Sequence, residues 1–408
     1  MARLSNISRQ ILAQNAGRDV ERLLLKLQAM RRDPFGFFRG TNPLFLQFLP
    51  RGSGLFRAPS TLVCGDLHFE NFGAFKGDNR LVYFDINDFD EACVAPFTVD
   101  IVRFLACIGV AKDGLLLDPS QGRQLMDAFM ASYCDAVGDG KPRWIERSLA
   151  TGVLRALLRQ SMRRTRKDLL DRFSKVKGGR RYIRIDGRRA LSLHQGEMKH
   201  LQKFLKDFRR DAPDRGFYRL LDASRRIVGN GSLGLPRYLL LISGRGSPNQ
   251  NFALDLKYAA PSAVANWLGR KQPNWSSEAL RVVAIQRIMQ AISPALLRAV
   301  SFEKRPFSFK ELQPNVDRLE FARWRGKPRR IREAVCGMGH VAAWAHLRGC
   351  GHFDAAKVEA LQTYVAAAAW RRRAVAIGES AAADMLRAWK IFSRDYDAGA
   401  VVATIQQP

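Results

Sequence analysis

The chain has 408 residues, 47% of them hydrophobic, enough to bury a large core and to suit two lobes. It has no run of 18 apolar residues, and its start, Met1 to Asn6, has no apolar signal core, so neither a membrane span nor a secretory leader is expected. Lysine and arginine number 67 against 38 acids, a formal charge of +29 that calls for either an anionic partner or a solvated basic face.

The first 64 residues read as largely helical. They lead into Cys64-Gly65-Asp66-Leu67-His68-Phe69-Glu70-Asn71, where an aspartate and an asparagine stand five residues apart. Leu81-Val82-Tyr83-Phe84 reads as a buried strand that brings a second acidic cluster, Asp85-Ile86-Asn87-Asp88-Phe89-Asp90, beside that loop. Phosphoryl transfer needs these groups: a carboxylate to orient a hydroxyl and take its proton, an amide oxygen on a metal, and a second carboxylate bridging Mg²⁺ to phosphates. The competing reading is a solvated acidic turn. Asp66 is the expected base, while His68 is expected to orient the loop by hydrogen bonding to backbone.

Basic residues concentrate between Arg155 and Arg189, including Arg163-Arg164-Thr165-Arg166-Lys167 and Lys177-Gly178-Gly179-Arg180-Arg181. An acidic substrate, a membrane surface or nucleic acid would suit them, though few aromatics interleave for base stacking. Residues 141–215 are predicted to form a basic helical insert with a turn at Gly178-Gly179.

Ile227-Val228-Gly229-Asn230-Gly231-Ser232-Leu233-Gly234 follows, with strand-like Arg237 to Ile242, a turn at Gly244 to Asn249, and a further strand from Phe252 to Lys257. A glycine loop between two strands lets backbone amides approach phosphate, and a lysine on the next strand can reach it. The absence of a helix at the third glycine excludes the dinucleotide fingerprint. Residues 276–300 are predicted helical, Phe307 to Pro314 a strand running into a hinge, and Val335 to His346 a helix. The tail from Phe353 to Tyr396 has helical periodicity, with Trp370 and Trp389 in the core and His346 as a packing or capping residue. Six cysteines without a C-x-x-C pair suit a reducing cytoplasm and small buried hydrophobes.

Phe37-Phe38-Arg39-Gly40, Cys64 to Gly73, Asn87 to Glu91, Val228 to Gly234 and Ala345-His346 together resemble the bacterial domain-of-unknown-function family 2252, which looks like a remote relative of protein kinases and aminoglycoside phosphotransferases. Asp100 is similar to the buried aspartate that opens the helix after the metal loop in aminoglycoside phosphotransferases and choline kinases. The dozen-residue spacing in those families selects Asp88 as metal ligand, with Asp90 second and Asp85 structural. Where the family tends to show Glu-Gly-Gln-Arg, this chain has Ala284-Ile285-Gln286-Arg287, leaving Glu278 or Gln286 to pair with Lys257.

The resemblance implies an α+β, bilobal, protein-kinase-like fold, circularly permuted because the catalytic loop precedes the glycine loop. Its parts are residues 1–140 with the catalytic and metal loops, 141–215 as the basic connector, 216–315 as the β-lobe, and 316–408 as the rest of the helical lobe. The expected activity is ATP- and Mg²⁺-dependent phosphoryl transfer to a hydroxyl of an acceptor, with nucleotidyl transfer or non-catalytic nucleotide binding as alternatives. Asp66 and His68 form the catalytic set, and Asn71, Asp88 and Asp90 the metal set. Gly229, Gly231, Ser232, Gly234, Lys257 and Glu311 are the nucleotide contacts.

Overall fold

The computed structural model describes residues 4–211, 214–312 and 318–406; Met1 to Arg3 of the N-terminal reading and Gln313-Pro314 of the predicted last strand lie outside them. Four helices open the chain: α1 (Asn6–Gln14), α2 (Val20–Arg32), α3 (Pro34–Gly40) and α4 (Asn42–Gln47). The Ser5, Asp19 and Asp33 side chains start the first three by accepting the backbone N–H three residues on, which removes one unpaired donor per helix.

Strand β1 (Ser60–Val63) pairs with β4 (Cys93–Pro96), and β2 (Phe72–Lys76) pairs with β3 (Val82–Ile86), which also carries β5 (Ile145–Glu146). Helix α5 (Thr98–Ala111) has every residue buried, as expected of a helix apolar on all sides. Helix α6 (Pro119–Asp139) starts at an Asp118–Gln121 capping box and stops at Gly140 in the left-handed conformation.

The 141–215 segment differs from its helical expectation. It holds α7 (Gly152–Arg163), α8 (Arg166–Asp171) and α9 (Glu197–Phe208), but also a hairpin of β6 (Ser174–Lys177) and β7 (Arg180–Ile183), and a short β8 (Ala190–Leu191). Gly178 and Gly179 both take positive φ, the requirement of a two-residue hairpin turn. The strands were hidden because their solvent face is lysine and arginine. Arg181 is buried, donating to Asp171, Ser174 and the Pro248 carbonyl, and Arg166 lies 3.3 Å above the Phe252 ring while pairing with Glu311. Part of the basic excess is therefore internal.

Strands β9 (Leu220–Arg226), β10 (Arg237–Ile242), β11 (Phe252–Tyr258), β12 (Arg298–Phe302) and β13 (Arg305–Glu311) join β8 in one curled antiparallel sheet, ordered β12-β13-β11-β10-β9-β8. Helices α10 (Ala263–Leu268) and α11 (Glu278–Met289) intervene; the latter is shorter than predicted because Ser293-Pro294 breaks the helix and β12 follows. Alternation sorts the faces. Leu240, Ile242, Leu254 and Leu256 pack against Leu201 and Leu205 of α9, whereas Leu239, Leu241 and Ala253 pack against Leu170 and Phe173. The connector thus covers both sheet faces.

Helices α12 (Pro328–Gly349), α13 (Val358–Ala366), α14 (Ala369–Asp397) and α15 (Ala400–Gln406) complete a mixed α/β molecule with 51% helix and 16% strand. Helix α14 lies on α5 through Gly378, and α12 lies on α6 through Gly339. Cys64, Cys93, Cys107 and Cys134 are buried free thiols. Among the described residues no helix is long and apolar enough to cross a membrane.

The α12–α6 contact is testable. A Cβ at Gly339 would stand 2.7 Å from the Phe129 carbonyl, whereas one at Gly138 meets nothing within 4 Å. Gly339→Ala is expected to lose about 1–3 kcal/mol in urea unfolding despite its better helix propensity, and Gly138→Ala to gain about 0.5–1 kcal/mol. Equal effects would show that this contact does not limit helix approach.

Candidate functional site

The loop after β1 is held from beneath. Asp100, in the first turn of α5, accepts the Cys64 N–H at 2.9 Å and the Gly65 N–H at 2.8 Å. It does not cap its own helix; Phe97 occupies that position. His346 of α12 brings Nε2 to 3.1 Å from the same carboxylate and Nδ1 to 2.8 Å from the Tyr133 hydroxyl of α6. Gly65 has φ +80°, and a Cβ there would run into the Glu91 carbonyl, so glycine is required.

Fixed in this way, the loop presents Asp66. Its Oδ1 accepts from Arg103 Nε at 2.8 Å; Arg103 also donates to the Phe38 carbonyl, and its guanidinium stacks 3.5 Å from the Phe38 ring centre. Burial raises the Asp66 carboxyl above its ordinary pKa, although Arg103 opposes the shift. His68 Nδ1 accepts the Glu70 N–H, which leaves the proton on Nε2, 3.9 Å from Asp66 Oδ2. Burial, with Arg39 and Arg103 nearby, holds this imidazole neutral by pushing its pKa well down. Asn71 Nδ2 donates to the Asp66 carbonyl at 2.5 Å, so the amide oxygen is the end left to face a cation.

The second acidic loop leaves β3. Asp85 is buried and turned to backbone, accepting from Ile86 N and Ala291 N. Asp88 and Asp90 meet Lys257 of β11: its Nζ lies 3.1 Å from Asp88 Oδ1 and 2.5 Å from Asp90 Oδ2. Burial acts to raise Asp88, but Lys257, Arg237 and Lys310 overcome it and hold that carboxyl below the usual range. Burial and the Asp88 charge raise Asp90. Glu278 pairs with Arg281 and Gln286 with Gln290, so the acidic partners of Lys257 are the two loop aspartates. Arg281 fixes the loop backbone by donating to the carbonyls of Asp90, Ala92 and Ala260.

The glycine loop between β9 and β10 bends onto the N-terminal helices. Arg18 Nη1 donates to the Gly231 and Leu233 carbonyls at 2.8 and 2.7 Å, Lys26 Nζ to Gly231 O at 3.1 Å, and Asp19 N to Gly234 O at 3.0 Å. A cavity of about 310 Å³ results, walled by Asp66, His68, Asn71, Asp88 and Asp90 on one side and Gly229, Gly231 and Ser232 on the other. Lys257 faces an adjoining 60 Å³ cavity that shares Asp88, Asp90 and Gly229. Gly234 stands beside the Arg18 side chain. Glu311 is not brought to either cavity: alternation along β13 turns Lys310 to the cleft and Glu311 to the opposite face, between Arg80 and Arg166.

Asn71, Asp88 and Asp90 offer only oxygen donors, which suit a hard cation such as Mg²⁺. Among the described residues no group of three or more His, Cys, Asp or Glu is placed to hold a metal; Mg²⁺ fits such a site because it takes one or two carboxylates and completes its shell with phosphates and water. Sequence reasoning missed Arg18, Lys26, Arg39 and Arg103. A signal existed for two of them: Lys26 shares the buried stripe of Leu23, Leu27 and Met30, and Arg103 interrupts an otherwise apolar helix.

No curated protein and no solved structure matches this chain. Residues 18–395 match the family described as uncharacterized protein conserved in bacteria (DUF2252), and the chain, with its paired acidic loops and glycine loop inside that span, belongs to this family.

Proposed function

We propose that this protein is an ATP- and Mg²⁺-dependent phosphotransferase acting on an acceptor hydroxyl, built on a kinase-like fold with a circularly permuted chain. The observation that carries the reading is convergence: Asp66, Asn71, Asp88, Asp90 and the glycine loop wall one cavity, with Lys257 on Asp88 across 169 residues. Permutation is supported at both ends of the helical part. Helix α12 finishes against the strand that enters the Asp66 loop, with the His346 carbonyl accepting from Thr61 Oγ1 at 2.9 Å and Ser60 O from Ala356 N at 2.7 Å. The opposite ends of the chain meet where Ser5 N donates to Asp395.

In this reading, the acceptor oxygen bonds to the γ-phosphorus while the bond to the β–γ bridging oxygen breaks, and ADP keeps that electron pair. Asp66 Oδ2 takes the hydroxyl proton, because Oδ1 is committed to Arg103. His68 keeps the loop in place through Glu70 N, and Asn71 ties the loop's two ends together. Asn71, Asp88 and Asp90 would hold the metal ion, which would supply charge neutralisation on the phosphates. Lys257 and the glycine-loop amides position the phosphate tail.

A second reading, nucleotide binding without turnover, is favoured by one observation: the Arg103–Asp66 ion pair occupies one oxygen of the proposed base. Turnover separates the two. Asp66→Asn is expected to leave Mg-ATP affinity nearly intact in calorimetry and to cut turnover by about 10²-fold or more, while Asp88→Asn weakens Mg-ATP binding. Product mass distinguishes phosphoryl from nucleotidyl transfer. Binding without any product in the wild type would establish the second reading.

Lys257 can be tested without activity. Its ammonium is the cation between Asp88 and Asp90. Lys257→Met should lower the thermal midpoint by leaving two half-buried carboxylates side by side without their cation, and Mg²⁺ alone should then raise that midpoint more than it does in the wild type. Equal Mg²⁺ shifts in both proteins would remove the two aspartates as a cation site.

A further inference from the structure

The cavity in front of Asp66 is lined by cations that have no carboxylate of their own, or share one. Arg39 Nη2 and Arg318 Nη1 share a single oxygen, Glu70 Oε2, at 2.9 and 3.1 Å. Arg18 and Lys26 are bound only to neutral acceptors: the former to the carbonyls of Gly231 and Leu233, the latter to Asn15 Oδ1 at 2.8 Å and to Gly231 O. Among the described residues no carboxylate lies within 4.0 Å of either. Lys26 is 1% exposed, and a buried ammonium without a counter-ion is costly. Burial accordingly pushes its pKa well down and that of Arg18 to about 10.

Two unpaired polar atoms mark the same wall. Arg39 Nε is a buried donor without an acceptor, and Asn42 Oδ1 is a buried acceptor without a donor. Asn42 spends its amide nitrogen on the Gly65 carbonyl, so its orientation is set by the Asp66 loop. Of the four acids that line the cavity, Asp66 is paired with Arg103, and Asp88 and Asp90 with Lys257; the fourth, Glu91, turns Oε2 to the Ala263 N–H, and burial lifts its pKa to about 7, so it is a weak counter-charge for Arg18. A bound molecule that completes this wall needs an oxyanion for Arg18, Lys26 and Arg39, and a hydroxyl or amine hydrogen for Asn42.

We propose that Arg18, Lys26 and Arg39 form an anion subsite, and that the acceptor phosphorylated at Asp66 is a small hydroxyl compound carrying a phosphate or carboxylate group. The first half stands on the cation geometry alone; the word acceptor rests on the phosphotransferase reading. The volume of about 310 Å³ is at the lower end of small-molecule sites, so a metabolite fits and a polymer chain does not fit within it. Nothing in this wall draws on the arginine-rich connector.

The test uses the full chain, with inorganic phosphate and succinate as probes and the Mg²⁺ complex of a non-hydrolysable ATP analogue as the nucleotide. Phosphate or succinate should bind the wild type in calorimetry, with the tighter of the two naming the head group, and should still bind when the nucleotide analogue is already present. Arg39→Gln, which leaves the glycine-loop carbonyls paired, should weaken that anion by about tenfold or more while leaving nucleotide affinity within about threefold; Arg18→Gln and Lys26→Met, whose side chains also hold the glycine loop, should weaken the anion at least as much. Lys26→Met should also shrink the thermal stabilisation that the anion gives the wild type. If Lys26→Met fails to fold, Arg39→Gln carries the comparison.

Three results would overturn the subsite: no binding of either anion, displacement of the anion by the nucleotide analogue, or loss of anion and nucleotide together in Arg39→Gln. The last two would assign these cations to the nucleotide phosphates. Anion binding with no nucleotide binding in any form would instead uphold the subsite and defeat the phosphotransferase reading.

Discussion

The Asp100 carboxylate is the point on which the Asp66 loop is aligned with the helical core. It is fully buried, yet it gathers two backbone N–H groups of the Asp66 loop and the imidazole of α12, with Tyr133 of α6 behind that imidazole. A buried charge survives because several donors replace its lost hydration. The consequence is geometric. The loop cannot shift without unpairing a fully buried carboxylate, so Asp66 and Asn71 are held by the core, although they lie on a loop.

Across the cleft, the tie is electrostatic. Lys257 joins the sheet to the acidic loop, while Arg281 crosses from α11 to three carbonyls around the same loop. The N-terminal helices then clamp the glycine loop through Arg18, Lys26 and Asp19. That clamp has a mechanical consequence: a ligand that drew Arg18 or Lys26 toward itself would compete with the carbonyls that hold the loop.

The parts of this arrangement legible in the sequence were those whose chemistry restricts residue identity locally. The Asp66–Asn71 spacing, the strand that delivers Asp88, and a glycine loop between two strands each occupy a dozen residues or fewer. Relations set by tertiary placement were not legible. The partners of Lys257 come from 167 and 169 residues away, so local searching pointed to Glu278 and Gln286. The β6–β7 hairpin was masked by basic side chains on its solvent face, and Glu311 fell on the far side of its strand through a period-two alternation that only the register fixes. Lys26 shows the converse: a charge on an apolar stripe was a visible local inconsistency, and its explanation lay in a loop 205 residues downstream.

Helix α5 is wholly buried, and part of its cover is α14, which ends at Asp397. During synthesis the ribosome releases α5 about 290 residues before the end of its cover, an interval of roughly 15–60 s at about 5–20 residues per second. For that time an apolar helix carrying Asp100 and Arg103 is without its native neighbours from α12 and α14, so this topology places a demand on the cell's holding chaperones as the nascent chain lengthens. An arrangement that makes a rigid site in the finished molecule is, for the growing chain, a late closure.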